Sequence, residues 1–241
     1  MSAIARLERK YLLGLTEYHR LRAALPLQLE ADRFTRREPA GTYLVRSIYY
    51  DTRDYRAWYE KEDGDFGRIK LRIRSYTDTP DRDTPISVEI KTKSGNAMVK
   101  YSSHVAFEDY LAFARSGHWP DIREPVVQEF ARLVRVRSLV PVVLVQYRRE
   151  GYRSRDRLPV RVTVDHGVVS TRASNLFPDH AILTPHRPKY VIFEVKSSSG
   201  EPAWLTRLVR EHGLKVTANS KYVQGIEVIR PNMVTPREVA P

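Results

Sequence analysis

Between residues 68 and 74 the chain reads Arg-Ile-Lys-Leu-Arg-Ile-Arg, an unbroken alternation of cations and aliphatics. Side chains of an extended strand point alternately to opposite faces. Ile69, Leu71 and Ile73 therefore form one face, and Arg68, Lys70, Arg72 and Arg74 the other. Like charges this close repel one another, so an anion, or acids on neighbouring strands, should face them. Guanidinium groups grip phosphate oxygens through paired hydrogen bonds, and lysine adds a compact point charge. The chemistry that such a comb serves is phosphate binding. For one strand taken alone, a basic, solvated outer face is the plainer reading, because one-sided solvation is ordinary in antiparallel sheets.

The pattern recurs, which weakens that plainer reading. Residues 87–93 set Glu89, Lys91 and Lys93 opposite Val88 and Ile90, and residues 161–165 set Arg161, Thr163 and Asp165 opposite two valines. Residues 190–196 place Glu194 and Lys196 away from Val191, Phe193 and Val195, and residues 6–11 group Arg6, Glu8 and Lys10. The few acids sit close to cations. One charged surface shared by many strands is expected, basic for an anion and with Glu8, Glu89 and Glu194 as candidate metal carboxylates. Carboxylate, phosphate and water oxygens make the hard shell that Mg²⁺ or Mn²⁺ prefers. Phosphoryl transfer asks mainly for positioning and for neutralisation of spreading negative charge. Cations facing the lumen of a closed barrel would meet a substrate from several directions, and closure would remove exposed sheet edges.

The elements that must position these residues are mostly strands. Further strand signals lie at 43–50, 142–148 and 98–107, punctuated by Asp63-Gly64 and Ser94-Gly95-Asn96. Such short links favour antiparallel neighbours over βαβ units. Helices are predicted at 16–25 with Thr16 as cap, 108–116 before Gly117, 125–136, 202–212 before Gly213, and briefly at 220–224. The fold class is α+β and mainly antiparallel. Its 241 residues are read as one domain over 1–230 and a flexible tail at 231–241.

A formal charge of +12 favours a polyanionic partner. The absence of cysteine excludes disulfides, thiolate metal sites and cysteine nucleophiles. No apolar run approaches the ~20 residues of a membrane span, and the N-terminus lacks a signal-peptide core, so a soluble, cytoplasmic protein is expected. No Walker loop, no GxGxxG after a strand and no HExxH occurs. The run 197–200 reads as a plain loop.

Several short segments follow one another in a recognisable order: ERKY at 8–11, VRSIYYDT at 45–52, KLRIRSY at 70–76 and VEIK at 88–91. After them come Lys100, QYRREGY at 146–152, VRVTVD at 160–165, FEVK at 193–196 and SKY at 220–222. In this order the chain resembles the VTC domain, the polyphosphate polymerase branch of the CYTH-like triphosphate tunnel metalloenzymes, over roughly Arg6 to Gly225. The resemblance implies a closed eight-stranded antiparallel tunnel barrel with flanking helices that binds triphosphate and Mn²⁺ or Mg²⁺. It places Lys10, Arg72, Arg74, Lys91, Lys100, Arg148 and Arg161 on the family's tunnel cations and Glu194 on its metal-binding glutamate. Lys221 falls on the lysine that reaches the tunnel from the C-terminal helix. Glu8 and Glu89 are second carboxylates. Lys10, Arg72, Arg74, Lys91, Arg148, Arg161 and Lys221 are then expected to be catalytic, with Arg68, Lys70, Lys100 and Lys196 as further phosphate ligands.

The implied activity is transfer of the ATP γ-phosphate to a growing inorganic polyphosphate, so ATP and polyphosphate are the expected partners. Related CYTH hydrolases open with ExExK, whereas Arg6 stands at the first glutamate here. One fewer carboxylate favours a single-metal, more cationic tunnel over a two-metal hydrolytic one. No SPX-type regulatory domain is expected ahead of the first strand, and product export would need a separate membrane partner. A tunnel triphosphatase is the second enzyme reading. A non-catalytic polyphosphate sensor and a nucleic-acid binder are the binding readings. Nucleic acid is not expected, because carboxylates on the basic faces would repel its backbone and RNP-like aromatic motifs are missing.

Overall fold

A computed structural model describes residues 7–62, 67–94, 97–156, 158–198 and 200–231. Arg6, the Asp63-Gly64 and Gly95-Asn96 turns, Ser199 and the tail at 232–241 lie outside the described residues. The strands are β1 (Leu7–Gly14), β2 (Leu29–Ala31), β3 (Tyr43–Asp51), β4 (Gly67–Ser75), β5 (Ile86–Ser94), β6 (Ala97–Val105), β7 (Val140–Ser154), β8 (Val160–Thr171), β9 (Thr184–Pro185) and β10 (Tyr190–Ser197). The helices are α1 (Leu15–Ala24), α2 (Arg33–Arg37), α3 (Arg56–Glu62), α4 (Phe107–Ser116), α5 (Pro125–Val136), α6 (Ala203–Glu211) and α7 (Lys221–Ile229). This is the expected α+β class.

One antiparallel sheet runs in the order β1-β10-β8-β7-β3-β4-β5-β6, with β2 and β9 attached to β7 and β8. Among the described residues β1 and β6 are its two ends and do not pair, so the expected closed barrel is corrected to an open sheet. The outer edge of β1 has another partner. The Val216 backbone bridges Tyr11, and the Thr217 N–H donates to the Lys10 carbonyl at 2.8 Å. A segment leading into α7 thus covers the backbone groups that closure would have used.

The period-two alternation produces three apolar clusters. Val162, Val164, Phe193 and Val195 face outward under Tyr18, Leu21 and Leu205 of α1 and α6. Ile48, Leu71, Ile73, Val88 and Ile90 face outward under Phe113 and Phe130 of α4 and α5. The third cluster lies on the inner face, where Val143, Val145, Val168 and Ile192 pack on Tyr222, Val223 and Ile226 of α7.

Three local devices differ from expectation. Helix α1 starts at Leu15, and its cap is Gly14, whose N–H donates to Glu17 Oε2 at 2.9 Å. Helices α2 and α3 have weak sequence periodicity and are started instead by side-chain acceptors: Asp32 receives the Phe34 and Thr35 N–H groups, and Asp51 and Thr52 receive those of Ala57 and Arg56. Helix α7 runs through Gly225 to Ile229, beyond the short helix expected at 220–224. A Cβ at Gly225 would come within 3.0 Å of Ser170 Oγ and 3.1 Å of a Val143 methyl, so the glycine serves close helix-to-sheet packing.

Candidate anion-binding site

Along each central strand the inward side chains change from apolar beside α7 to charged further along. On β7 the sequence is Val143, Val145, Tyr147, Arg149; on β10 it is Ile192, Glu194, Lys196; on β1 it is Leu12, Lys10, Glu8. The charged parts enclose a cavity of about 480 Å³. Cross-strand register sets its rows: Lys70, Lys91 and Lys100 are direct neighbours on β4, β5 and β6, and Arg161, Lys196 and Glu8 are neighbours on β8, β10 and β1. Among the described residues twelve lysines and arginines line the cavity, and Glu8 and Glu194 are the lining acids.

Two buried carboxylates below the lining hold this charge together. Glu89, 1 % exposed, accepts from Arg72 Nε at 2.6 Å and pairs with Arg72 Nη2 at 2.5 Å, Lys100 at 2.9 Å and Arg74 at 3.9 Å. Burial opposes its ionisation, but these three cations outweigh burial and hold its pKa well below the ordinary value. Asp165, fully buried, accepts a bidentate pair from Arg149 at 2.6 and 2.9 Å and meets Lys221 at 2.5 Å. Burial again opposes, and Arg149 and Lys221 pull it to about 2. Each carboxylate fixes one edge of its arginine, and the planar fork leaves other N–H groups to face the cavity.

Lys91 has no such carboxylate within ion-pairing distance among the described residues. Repulsion from Arg72, then burial and Lys196, lower its pKa to about 6. Phenols complete the lining. The Tyr49 hydroxyl accepts from Arg72 at 3.1 Å, and the Tyr222 ring lies 5.2 Å from the Lys70 ammonium while its hydroxyl donates to buried Asp51.

Lys10, Arg68, Lys70, Arg72, Arg74, Lys91, Lys100, Arg161, Lys196 and Lys221 all line the cavity, as do Glu8 and Glu194. Arg148 does not. It is exposed on the opposite face, and Arg149 occupies the inward position. The continuous apolar run at 142–145 hides the alternation on β7, and the clue lay in counting by twos from Val143 and Val145. Glu89 is not among the lining residues either, and its carboxylate is paired with Arg72, Arg74 and Lys100.

Lys93, Arg149, Asp165 and Tyr43, Tyr49, Tyr76, Tyr147 and Tyr222 were not singled out as site residues from sequence. Parity with Arg161 could have marked Asp165. Nothing local marks the tyrosines, which read equally well as core.

Among the described residues no three or more histidine, aspartate or glutamate side chains converge as a metal cage. Glu8 and Glu194 share Lys10, at 3.1 and 4.0 Å, and Lys196 lies 3.1 Å from Glu194. Burial opposes ionisation of Glu194, but Lys196 and Lys10 keep it anionic. Two carboxylates fit an Mg²⁺-like ion whose shell is completed by water and phosphate oxygens.

A family profile for the VTC domain matches residues 5–230. The chain belongs to the VTC domain family. Its fold is also similar to solved structures across nearly their whole length. A Bacillus halodurans protein provisionally named an adenylate cyclase superposes with TM-score 0.56 at 15 % identity, covering 91 % of this chain and 97 % of that one. The PH1819 protein of Pyrococcus horikoshii OT3 gives TM-score 0.47 at 15 % identity, covering 91 % and 96 %. No curated protein matches this VTC domain. Among the described residues no helix is long and apolar enough to cross a membrane.

Proposed function

We propose that this VTC domain is an ATP-dependent polyphosphate polymerase. The observation that carries the reading is the lining itself: among the described residues it has many inward cations and two carboxylates, in a chain without cysteine. Such a cavity suits a chain of phosphates and a transfer made by positioning and charge neutralisation.

In this reading Arg72, Arg74, Arg149 and Arg161 hold the γ-phosphate of ATP, and Lys10, Lys91 and Lys100 neutralise its neighbours. A terminal oxygen of the acceptor polyphosphate attacks the γ-phosphorus. The bond from that phosphorus to the β,γ-bridging oxygen breaks, and ADP departs with the electron pair. Lys221, held by Asp165, and Lys196 bear on the developing charge. Glu8 and Glu194 would hold a divalent ion, Mn²⁺ or Mg²⁺, which supplies charge neutralisation on phosphate oxygens.

The test is incubation of purified protein with ATP and Mn²⁺, scoring ADP, free phosphate and polyphosphate on a gel together. ADP with a polyphosphate ladder and little free phosphate is expected. Free phosphate without a ladder would replace the polymerase with a triphosphatase, and absence of turnover by fully folded protein would leave a binding module.

A further inference from the structure

An aromatic cluster stands at one end of the charged cavity. Tyr43 and Tyr76 line that end together with Arg161, and Phe34 of α2 packs on both tyrosines, with ring centroids 5.8 Å from Tyr43 and 6.5 Å from Tyr76. The Phe34 and Tyr76 planes lie within 8° of parallel. Tyr43 is buried and forms the base of the cluster, whereas Phe34 and Tyr76 are 42 % and 46 % exposed. Two large rings partly exposed side by side at the end of a charged cavity offer a π-surface to a planar group.

The cluster is joined to the charged cavity through one carboxylate. Asp32 starts α2 by accepting the Phe34 N–H at 3.1 Å, and its other oxygen receives Arg161 Nη2 at 3.3 Å. The same Arg161 nitrogen reaches the Tyr43 hydroxyl at 3.4 Å. A phosphate-facing cation and the exposed ring are therefore fixed against each other. Arg33 also lies over Phe34, 4.7 Å from its centroid, adding a planar cation beside the ring. The opposite end of the β4–β5–β6 surface, about 20 Å away along β4 from Arg68 to Arg74 by strand rise, is lined, among the described residues, by Arg68, Lys93 and Met98. The two ends are chemically unlike.

We infer that Phe34 and Tyr76 form a stacking platform for the base of a nucleoside polyphosphate whose phosphates occupy the cavity. The inference rests on the phosphate-binding reading and adds to it a defined end for the nucleoside, with the acceptor or product chain at the Arg68–Lys93 end. Stacking uses the π-face common to all bases, so ATP and GTP should be accepted alike.

The experiment measures ATP, GTP and inorganic tripolyphosphate binding by calorimetry for wild type, Phe34→Ala, Tyr76→Leu, the double variant and Tyr76→Phe. The double variant is expected to bind both nucleotides at least ~10-fold more weakly, the scale of one lost base–aromatic contact. Tripolyphosphate should change by less than about twofold, and Tyr76→Phe should retain nucleotide binding through its ring. Equal losses for nucleotide and tripolyphosphate, or unchanged nucleotide binding in the double variant, would overturn the platform. If wild type failed to bind tripolyphosphate, the phosphate reading itself would fall and the platform with it.

Discussion

Replacing Glu89 by glutamine keeps its shape and removes one charge from the most crowded electrostatic point of the molecule. The carboxylate is 1 % exposed and faces Arg72, Arg74 and Lys100. Arg72 and Arg74 are themselves largely buried, so water cannot replace the lost charge. Removing one partner of a buried ion pair costs about 3–5 kcal/mol. For a chain of this size that corresponds to a fall in Tm of roughly 6–20 °C.

The pH dependence has a definite sign. The folded-state pKa of Glu89 is held below its ordinary value of 4.5, so its stabilisation is fully present above that pH and is lost as pH falls towards the folded value. The gap between wild type and E89Q should therefore be constant near neutrality and narrow progressively in acid. Bound anion should also repair the variant, since tripolyphosphate at 100 times its Kd stabilises by about 2.7 kcal/mol and here it restores missing negative charge. At one fixed tripolyphosphate concentration its thermal shift should be larger in E89Q than in wild type, because the variant binds the anion more tightly. The assay is chemical and thermal denaturation from pH 3 to 8, with and without tripolyphosphate. A gap under ~1 kcal/mol at pH 7, combined with equal tripolyphosphate shifts, would refute the claim that Glu89 is the counter-charge of the cavity.

Two further predictions concern the lining. R149A should lower turnover by orders of magnitude while R148A stays within about twofold, as steady-state ADP release would show; the reverse ranking would contradict the inward assignment of Arg149. Lys91, with its pKa lowered to about 6, is largely neutral in the empty cavity at pH 7.5. Unfolding at that pH restores its proton, so Lys91 makes stability rise with pH between about 6 and its ordinary 10.5. K91M should flatten that rise. Bound phosphate draws the proton back, and calorimetry in buffers of differing ionisation enthalpy should show about one proton fewer taken up by K91M than by wild type on tripolyphosphate binding.

Much of this site is legible in the sequence, because a strand has period two and needs only local sterics to display it. The comb from Arg68 to Arg74, the Glu89–Lys91 pair and the Glu194–Lys196 pair each declare their faces from four or five residues. The acid–base mixing on those faces points to a shared anion site, and the ordered segments from ERKY to SKY point to the VTC domain. Helices with strong periodicity or a proline start, such as α5, are likewise local in origin.

Other features needed distant partners. Arg148 and Arg149 are neighbours of the same type; parity from Val143 and Val145 turns Arg149 inward, and the pairing of β7 with β8 sets it opposite Asp165. Glu89 looks like a metal ligand until Arg72 and Arg74 of β4 and Lys100 of β6 close on it from both sides. The close packing of Gly225, where a Cβ would meet Ser170 and Val143 of distant strands, is likewise invisible in sequence. The edge of β1 is met by residues 216–217, far along the chain, and no local signal announces that contact. The cluster of Phe34, Tyr43 and Tyr76 draws on three separate segments of the chain whose rings meet only in the folded protein. The sequence by itself determined which faces are charged and what class of ligand they suit, since alternation and charge are local properties. The tertiary structure alone decided which charges neutralise one another and which remain for a substrate, because Coulomb energy depends on distance and burial, and neither is set by neighbours in sequence.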